Sequence, residues 1–345
     1  GHDFEEFLKN KVVDVDREHT HEYEDGICII CGHKKQDSGD KESKPSSSIS
    51  LPEIIRDDKT DKTDKTDKTD KVTNPDGSVT TKTESPDGST VETTNYADGS
   101  TRTVTTSSDG TVTTVLTDGY GNYTDTVEDA YGNKSIMISN VDGSWSETIV
   151  NSDGWMKSDV KVPDDKIIKE TREQGYVSLP IPIVSNTKDR NKAAVISVDL
   201  TGMDAFVEIP VINGGTGTVI IKMQNDGTEK IIKDTVFTGK GVAAEISDGD
   251  TIMILDNSKE FSDVKADFWG KDAVDFVTGR EIFSGISDGL FDPDGTMTRA
   301  MIWTVLARLD GQDVDGGLGL WYEKGQKWAV DNGISDGTDP DKAVT

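Results

Sequence analysis

Residues 72–110 read VTNPDGSVTTKTESPDGSTVETTNYADGSTRTVTTSSDG, and this run contains the rule that governs a large part of the chain. Glycine recurs every eleven residues, at positions 77, 88, 99, 110, 121, 132, 143 and 154. Six of these glycines follow Asp, while Gly121 and Gly132 follow Tyr. Asp-Gly favours tight turns because glycine adopts positive φ freely, and the Thr- and Val-rich residues between the turns favour strands. The repeat predicts eight turn–strand units over residues 72–161, as either an antiparallel meander or a stacked β array.

The repeated aspartates raise the alternative that the turns bind calcium. One carboxylate per turn falls short of the roughly six to eight oxygen ligands that Ca²⁺ takes. A structural stalk is therefore the preferred interpretation of the repeats. Trp145, Ile149, Trp155 and Met156 make its last units the best packed.

Residues 166–256 have a different pattern. Seven short apolar-alternating runs, among them AAVISVDL, AFVEIPVI and GTVIIKMQ, are separated by Gly or Asn-Asp-Gly turns. Several strands of this length at such spacing predict an antiparallel β-sandwich or a small barrel, of which the sandwich is preferred.

Composition limits the architecture and the partners. Of the 345 residues, 32% are apolar and 6% aromatic, which is too lean for one large core and favours several small modules. The formal net charge of −28 argues against nucleic acid or anionic lipid as a partner, because both would repel the chain. No run of about 20 apolar residues occurs, so no membrane span is predicted.

Residues 44–71 are predicted to be a disordered, charged linker. They contain four copies of Asp-Lys-Thr between Asp58 and Thr69. Opposite charges that alternate in this way bury nothing and are best solvated as coil.

Residues 261–310 read FSDVKADFWGKDAVDFVTGREIFSGISDGLFDPDGTMTRAMIWTVLARLD and predict a helical hairpin. Ala273, Val274, Val277 and Ile282 form one face of a first helix, with Trp269 and Phe261 expected in the core. A turn-rich loop follows, and Thr298 is a good N-cap for a second helix with an apolar stripe. Glu three residues after the cap would complete a capping box, but the chain has Met301 there, so the reciprocal contact is expected to be lost.

The order aromatic-x-Asp-Val, Trp, Phe-x-Pro and Thr-Arg-Ala resembles the S-layer homology (SLH) repeat, which fastens exported bacterial proteins to cell-wall polysaccharide. A second copy starts near Leu320 and stops at Thr345, so the chain is expected to be truncated within that repeat. The resemblance implies a multidomain, extracellular surface protein of clostridia-like Gram-positive bacteria. Its fold class would be mainly β, with repeat 1 at 261–310 and partial repeat 2 at 320–345 as a C-terminal α-helical module.

The resemblance also implies a binding site for anionic, pyruvylated secondary cell-wall polysaccharide. In the family, the Arg of the Thr-Arg motif lies in a groove between repeats, which points to Arg299. Asp288 and Gly289 in the loop 285–289 are expected to line the groove, as is its counterpart 333–337. A plainer alternative pairs Arg299 with Asp292 or Asp294. Asp263 is expected to organise a turn or to cap the following helix.

Residues 1–43 form a separate Cys/His head. His19, His21, Cys28 and Cys31 have the residue types and the Cys-x-x-Cys-Gly spacing of a zinc knuckle, so structural zinc is predicted there. A local Cys28–Cys31 disulfide and a redox role are the alternatives, although no βαβ pattern surrounds the pair.

The preferred function is that of a non-catalytic, cell-wall-anchored surface protein. No Gly-x-Ser-x-Gly, phosphate loop or His-Glu-x-x-His motif occurs, and no His lies beyond residue 33. The alternative is the anchoring portion of a secreted, wall-associated hydrolase whose catalytic domain lies before Gly1. The oligomeric state does not follow from these patterns.

Overall fold

The computed structural model describes residues 23–24, 27–28, 67–314 and 319–344. The chain divides into two compact units, residues 1–65 and residues 66–345. In the first unit, β1 (Tyr23–Glu24) and β2 (Ile27–Cys28) pair antiparallel. The predicted zinc ligands His19, His21 and Cys31, and the side chain of Cys28, lie outside the described residues.

The eleven-residue repeats form an antiparallel meander, so this alternative is the one that the chain adopts. Each strand pairs with the next along the chain. The strands are β3 (Lys68–Thr73), β4 (Val79–Glu84), β5 (Thr90–Asn95), β6 (Thr101–Thr106), β7 (Val112–Thr117), β8 (Tyr123–Glu128), β9 (Lys134–Ser139), β10 (Trp145–Val150) and β11 (Met156–Lys161). Because β3 begins at Lys68, the expected coil up to residue 71 is wrong at its end. The linker composition alone does not predict this strand, because the backbone hydrogen bonds that stabilise it come from pairing with β4.

Seven of the eight turns use an aspartate to close the loop, and the last uses Asn151. At the first turn, Asn74 N donates to Ser78 O over 2.8 Å, and Gly77 has φ of 85°. The Asp76 carboxylate accepts from Ser78 N at 3.0 Å and from Ser78 Oγ at 2.7 Å. These hydrogen bonds favour the charged form and lower the pKa of Asp76. The turn aspartate is thus engaged within its own loop, which favours the structural interpretation of the repeats.

The repeat sheet continues directly into the region 166–256. Beyond β11 the same thirteen-stranded sheet adds β14 (Ala194–Asp199), β20 (Thr251–Asp256), β16 (Thr218–Met223) and β17 (Glu229–Ile231) in that order. A second sheet contains β12 (Val177–Ser178), β15 (Ala205–Ile212), β19 (Gly241–Ile246) and β18 (Val236–Phe237), with β13 (Val184–Ser185) paired to β15. Residues 166–256 therefore hold two facing sheets, as the alternating pattern predicts.

A helix that the strand pattern does not predict, α1 (Asp164–Gln174), follows β11. It begins after Pro163 and ends at Gly175 with φ of 84°, and it buries Ile167. This crossover returns the chain so that β14 lies parallel to β11, and β12 and β13 lie parallel to β15. The expectation of a purely antiparallel region is therefore wrong at these three pairs.

The main core lies between the two sheets. The inner faces of β11, β14, β20 and β16 meet β15 and β19 through side chains that are almost fully buried, including Ile196, Val207, Ile209, Ile220, Ile246, Ile252 and Ile254. A smaller cluster on the opposite face contains Val219, Ile221, Met253 and Leu255.

The C-terminal part of the chain is helical. It contains α2 (Lys271–Gly279), α3 (Arg299–Leu309) and α4 (Glu323–Asp331), and Ala300, Trp303 and Ala329 form its buried cluster. Trp269 is 92% exposed, so its expected place in the core is wrong. It precedes α2 and lies off the buried stripe that Val274 and Thr278 form. Phe261 is partly buried against Phe291, with ring centroids 5.4 Å apart.

Together these elements make the chain mainly β with a few C-terminal helices, as predicted. In the described residues, no helix is both long enough and apolar enough to cross a membrane.

Candidate functional site

Arg299 is the first residue of α3, and the turn before it is well capped. The Thr298 hydroxyl accepts from Met301 N at 3.3 Å, and Thr298 N donates to Met301 Sδ at 3.5 Å. The expected loss of the reciprocal contact is therefore wrong, because the flexible thioether reaches back where Glu would. Sulfur is a weak acceptor, so this half of the box is weaker than with a carboxylate.

The segment after α4 satisfies the backbone at this helix start. Arg299 N donates to Lys342 O and Ala300 N donates to Pro340 O, both at 2.9 Å. Thr298 and Ala343 also form an isolated β-bridge. The helix dipole still contributes positive potential here, but these two N–H groups are already engaged.

The Arg299 guanidinium reaches the segment after α4. Its Nη2 donates to Ser335 Oγ at 2.9 Å and to Asp336 Oδ1 at 2.5 Å. The predicted alternative of a carboxylate partner is thus realised by Asp336, and not by Asp292 or Asp294. The cation also lies 5.6 Å from the ring centroid of Trp303, while its Nε is buried without a partner.

Arg299 lies at a cavity between α3 and the segment after α4. The cavity has a volume of about 460 Å³, and Ile302, Trp303 and Ile334 give it apolar walls. Asp336 lies at its rim, and hydrogen bonds from Thr338 together with Arg299 lower the pKa of its carboxyl group. The site therefore combines an apolar surface, an exposed carboxylate and a guanidinium whose Nη2 is hydrogen-bonded while its Nε is not.

Asp288 and Gly289 lie elsewhere. They line a different cavity of about 740 Å³, together with Lys259, Glu260 and Thr278. The structure thus places Arg299 and the loop 285–289 in separate cavities and does not bring these predicted site residues together.

The two identical Gly-Ile-Ser-Asp-Gly segments are not structural counterparts. Ile282 N and Phe283 N both donate to Val277 O, whereas Ile334 N and Ser335 N both donate to Ala329 O. Ile334 therefore corresponds to Ile282, and Gly333 corresponds to Glu281, which share positive φ values of 68° and 54°. The expected pairing of 333–337 with 285–289 is wrong, because the helix end, and not the repeated letters, sets the register.

Arg280 is a residue that the sequence analysis missed. Its side chain is fully buried, and its guanidinium donates to Thr235 O at 2.6 and 2.8 Å and to Thr216 O at 2.7 Å. Burial lowers the pKa of Arg280 to about 10, so the group stays charged at neutral pH. It fastens the end of α2 to the backbone around β16. No sequence signal identifies such partners, because they are main-chain carbonyls.

Asp263 organises the loop before α3. Its carboxylate accepts from Phe291 N at 3.0 Å and from Asp292 N at 2.7 Å. These bonds lower the pKa of Asp263. The turn-organising role predicted from the sequence is confirmed.

Comparison with known proteins identifies this part of the chain. The family profile of the S-layer homology domain matches residues 260–300. The chain is 32% identical over 87 residues to an amylopullulanase from Thermoanaerobacterium thermosulfurigenes, which covers 23% of this chain and 5% of that protein. It is 30% identical over 92 residues to exoglucanase XynX from Acetivibrio thermocellus, with 24% and 8% covered. It is 27% identical over 121 residues to an S-layer protein from Bacillus thuringiensis subsp. finitimus, with 32% and 15% covered.

The chain thus spans less than a sixth of each of these relatives. No solved structure matches it significantly. The S-layer homology domain has a cell-surface anchoring role, and the chain is an extracellular, cell-wall-associated protein.

Proposed function

We propose that the chain is a non-catalytic surface protein whose S-layer homology repeats hold an anionic, pyruvylated secondary cell-wall polysaccharide. The observation that carries the proposal is the position of Arg299 at the cavity between the repeats. Guanidinium offers a planar fork of donors that matches a carboxylate, and a pyruvyl substituent supplies a carboxylate on a sugar.

The walls of the cavity suit a sugar ring. Trp303, Ile302 and Ile334 supply apolar surface beside the cation, and Ser335 supplies a hydroxyl. Aromatic and apolar faces with a few polar groups are typical of small-ligand sites. Arg299 would supply the charge, and its neighbours would supply shape.

In this proposal, Asp336 occupies the place that the ligand carboxylate would take beside Arg299. Its side chain is 65% exposed, so it leaves the guanidinium at little cost when a better carboxylate arrives. Asp336 therefore acts as an internal competitor and sets how much anion is required for binding.

Co-sedimentation with purified cell wall tests the proposal. The chain should bind wall that retains its polymer and fail to bind wall that is stripped of polymer or lacks pyruvyl groups. Arg299→Ala should weaken binding about 10- to 100-fold, since a hydrogen bond to a charged group contributes about 1.5–3 kcal/mol. Asp336→Asn should strengthen it by removing the competitor.

Arg102→Ala is the matched control, because it removes one exposed Arg of the repeat sheet and changes the net charge equally. Its binding should equal that of the unmodified chain. If Arg299→Ala and Arg102→Ala bound alike, the site would not depend on Arg299. If polymer-bearing and stripped walls bound alike, the polymer would not be the ligand.

A second candidate is that the chain is the anchoring portion of a larger, wall-associated hydrolase. Two of the relatives described above carry glycosidase names, and they match this chain only in part. The complete open reading frame decides this alternative. An adjoining glycosidase domain would support this second candidate, and its absence would favour the non-catalytic surface protein.

Zinc at His19, His21, Cys28 and Cys31 stays a prediction. Metal analysis of the reduced chain should find one tightly held Zn²⁺, and Cys28→Ser with Cys31→Ser should abolish it. Thiol titration distinguishes the disulfide alternative, in which both thiols react only after reduction.

A further inference from the structure

Among the residues that the structure describes, the thirteen-stranded sheet ends at β3. All six residues of β3 are exposed, and β3 is the last strand of the thirteen. Asn74 N donates to Ser78 O, and ladder bonds in an antiparallel pair fall at every second residue. Residues 72, 70 and 68 therefore face β4, while Thr69 and Lys71 direct their N–H and C=O groups to the open side. Within the described part of the chain, the backbone donors and acceptors on this side of β3 have no partner strand.

Charges already alternate across this end of the sheet. Lys68 lies opposite Glu84, and Asp70 lies opposite Lys82. Lys82 in turn lies opposite Glu92. On the other face, the hydroxyls of Thr69 and Thr83 are 3.2 Å apart. Any strand added at the open side extends these rows and meets Lys68, Asp70 and Thr69 first.

We propose that β3 pairs antiparallel with β3 of a second copy of this chain, about a two-fold axis at Thr69. In this register Lys68 lies opposite the partner's Asp70, and Asp67 lies opposite the partner's Lys71. Thr69 lies opposite the partner's Thr69, which extends the row of paired hydroxyls. Every charge at the junction meets its opposite.

Geometry selects this register. A two-fold axis normal to the sheet keeps each face on its own side, so opposed residues must share a face and the axis must pass through a residue. Centring on Lys68 or Asp70 would oppose like charges, and centring on Val72 would place Lys71 and Asp70 opposite uncharged residues. Centring on Asp67 or Lys71 would oppose like charges, and centring on Thr73 would leave Lys71 and Asp70 beyond the partner strand. Thr69 is the position within 67–73 that pairs all four charges with their opposites.

Charged residues usually protect an edge strand from pairing. Here they do so only against strands of other sequence, because two positive and two negative side chains around Thr69 complement themselves. The sandwich core does not interfere. Eight strand spacings separate β3 from β11, about 38 Å at the usual distance between neighbouring strands.

Sedimentation velocity of the whole chain measures the dimer. The unmodified chain should sediment as a dimer, and Thr69→Pro should sediment as a monomer. Proline removes an N–H that points to the open side, so it blocks the junction while the bonds from β3 to β4 stay in place. Circular dichroism should be unchanged.

A charge exchange tests the register. One variant carries Asp67→Lys with Asp70→Lys, and the other carries Lys68→Asp with Lys71→Asp. Each alone opposes like charges and should be monomeric, whereas an equimolar mixture should form a heterodimer. Asp153→Lys with Glu173→Lys is the matched control for the first variant, because it changes the net charge equally at exposed positions away from β3. It should remain a dimer.

Three results would overturn the proposal. These are a monomeric unmodified chain at the highest soluble concentration, a dimer that survives Thr69→Pro, and a mixture of the two charge variants that fails to associate.

Discussion

The two ends of the thirteen-stranded sheet share one backbone ladder but differ in what covers them. From β10 onward, the inner face packs against the second sheet, and even Ser146, Thr148 and Ser158 are almost fully buried. In β4 to β9, the corresponding rows carry Thr, Val, Ile, Leu and charged residues that are mostly half-buried. The covered end has a core, while the repeat end relies on neighbouring side chains within a single layer.

Cross-strand pairs take the place of a core in the repeats. Hydroxyls of Thr80 and Thr94 lie 2.9 Å apart, and those of Thr93 and Thr103 lie 3.1 Å apart. Such pairs contribute roughly 0.2–1 kcal/mol each, far less than a buried aliphatic side chain. The packed end of the sheet thus supports the long repeat end, which the second sheet does not cover. We therefore expect local stability to fall from β11 toward β3.

The largest expected effect is in the core. Ile196→Ala should lower the free energy of unfolding by about 3 kcal/mol, because it leaves a cavity between the sheets. Denaturant unfolding followed by tryptophan fluorescence measures it. Val104→Ala in the repeats should change that transition by less than about 1 kcal/mol. Equal effects would contradict the contrast between the two ends.

The next effect concerns the attachment of the helices to the sandwich. Arg280→Met keeps much of the side-chain volume but leaves buried carbonyls without donors, so it should cost about 2–3 kcal/mol. We expect α2 to α4 to unfold at a lower denaturant concentration than in the unmodified chain, with faster amide exchange in these helices. Arg308→Met, which removes an Arg of α3 instead, would be the comparison variant in the same amide-exchange measurement. Unchanged exchange in Arg280→Met would show that these hydrogen bonds do not fasten the helices.

A smaller effect is expected at a repeat turn. Gly88 has φ of 86°, and an added Cβ would meet no atom within 4 Å, so Gly88→Ala tests backbone strain alone. It should cost about 1 kcal/mol and accelerate amide exchange mainly in β4 and β5. Ser108→Ala, in the equivalent type of turn but at ordinary φ, should change little. Exchange that accelerates across the whole sheet would instead mean that the repeats unfold as one unit.

The smallest effects separate two carboxylates of the repeat sheet. Burial raises the pKa of Asp125, and its Oδ1 has no partner, whereas the Asn122 side chain lowers the pKa of Asp118. At neutral pH, Asp125→Asn should therefore raise the melting temperature slightly, and Asp118→Asn should lower it. Thermal unfolding at a series of pH values measures both.

The pH dependence of the two variants should be opposite in sign. The stabilisation by Asp118 is present above the ordinary Asp pKa of about 3.9 and is lost as the pH falls through its lowered folded value. The penalty from Asp125 is present at neutral pH, shrinks as the pH falls through its raised folded pKa, and disappears below the ordinary Asp pKa. A gain from Asp125→Asn that persisted in acid would mean that charge is not its cause.

Regular patterns made most of the fold predictable. The eleven-residue spacing located the turns at Gly77 through Gly154, and alternation in 194–256 located the strands of the sandwich. The helix α1 was missed although Pro163 and Gly175 mark its ends, because the apolar pair Ile167–Ile168 is too short to show a helical period. The parallel pairing of β14 with β11 could not be predicted without this crossover helix.

The candidate site was less predictable, because it depends on contacts between distant segments. The Thr-Arg motif located Arg299 and the start of α3, but the partner Asp336 lies 37 residues away. The repeated Gly-Ile-Ser-Asp-Gly letters misled, since hydrogen bonding at the helix ends fixes the register. Arg280 left no trace in the sequence, because main-chain carbonyls are present at every position.

The antiparallel order of the eleven-residue units constrains how such a protein can change its length. Duplicating a single unit would reverse the direction of β3, so whatever precedes it would leave from the opposite rim. Duplicating two units restores that direction and lengthens the sheet by about 10 Å. Unequal recombination should therefore be tolerated in steps of twenty-two residues, so the sheet would change its length by one hairpin at a time.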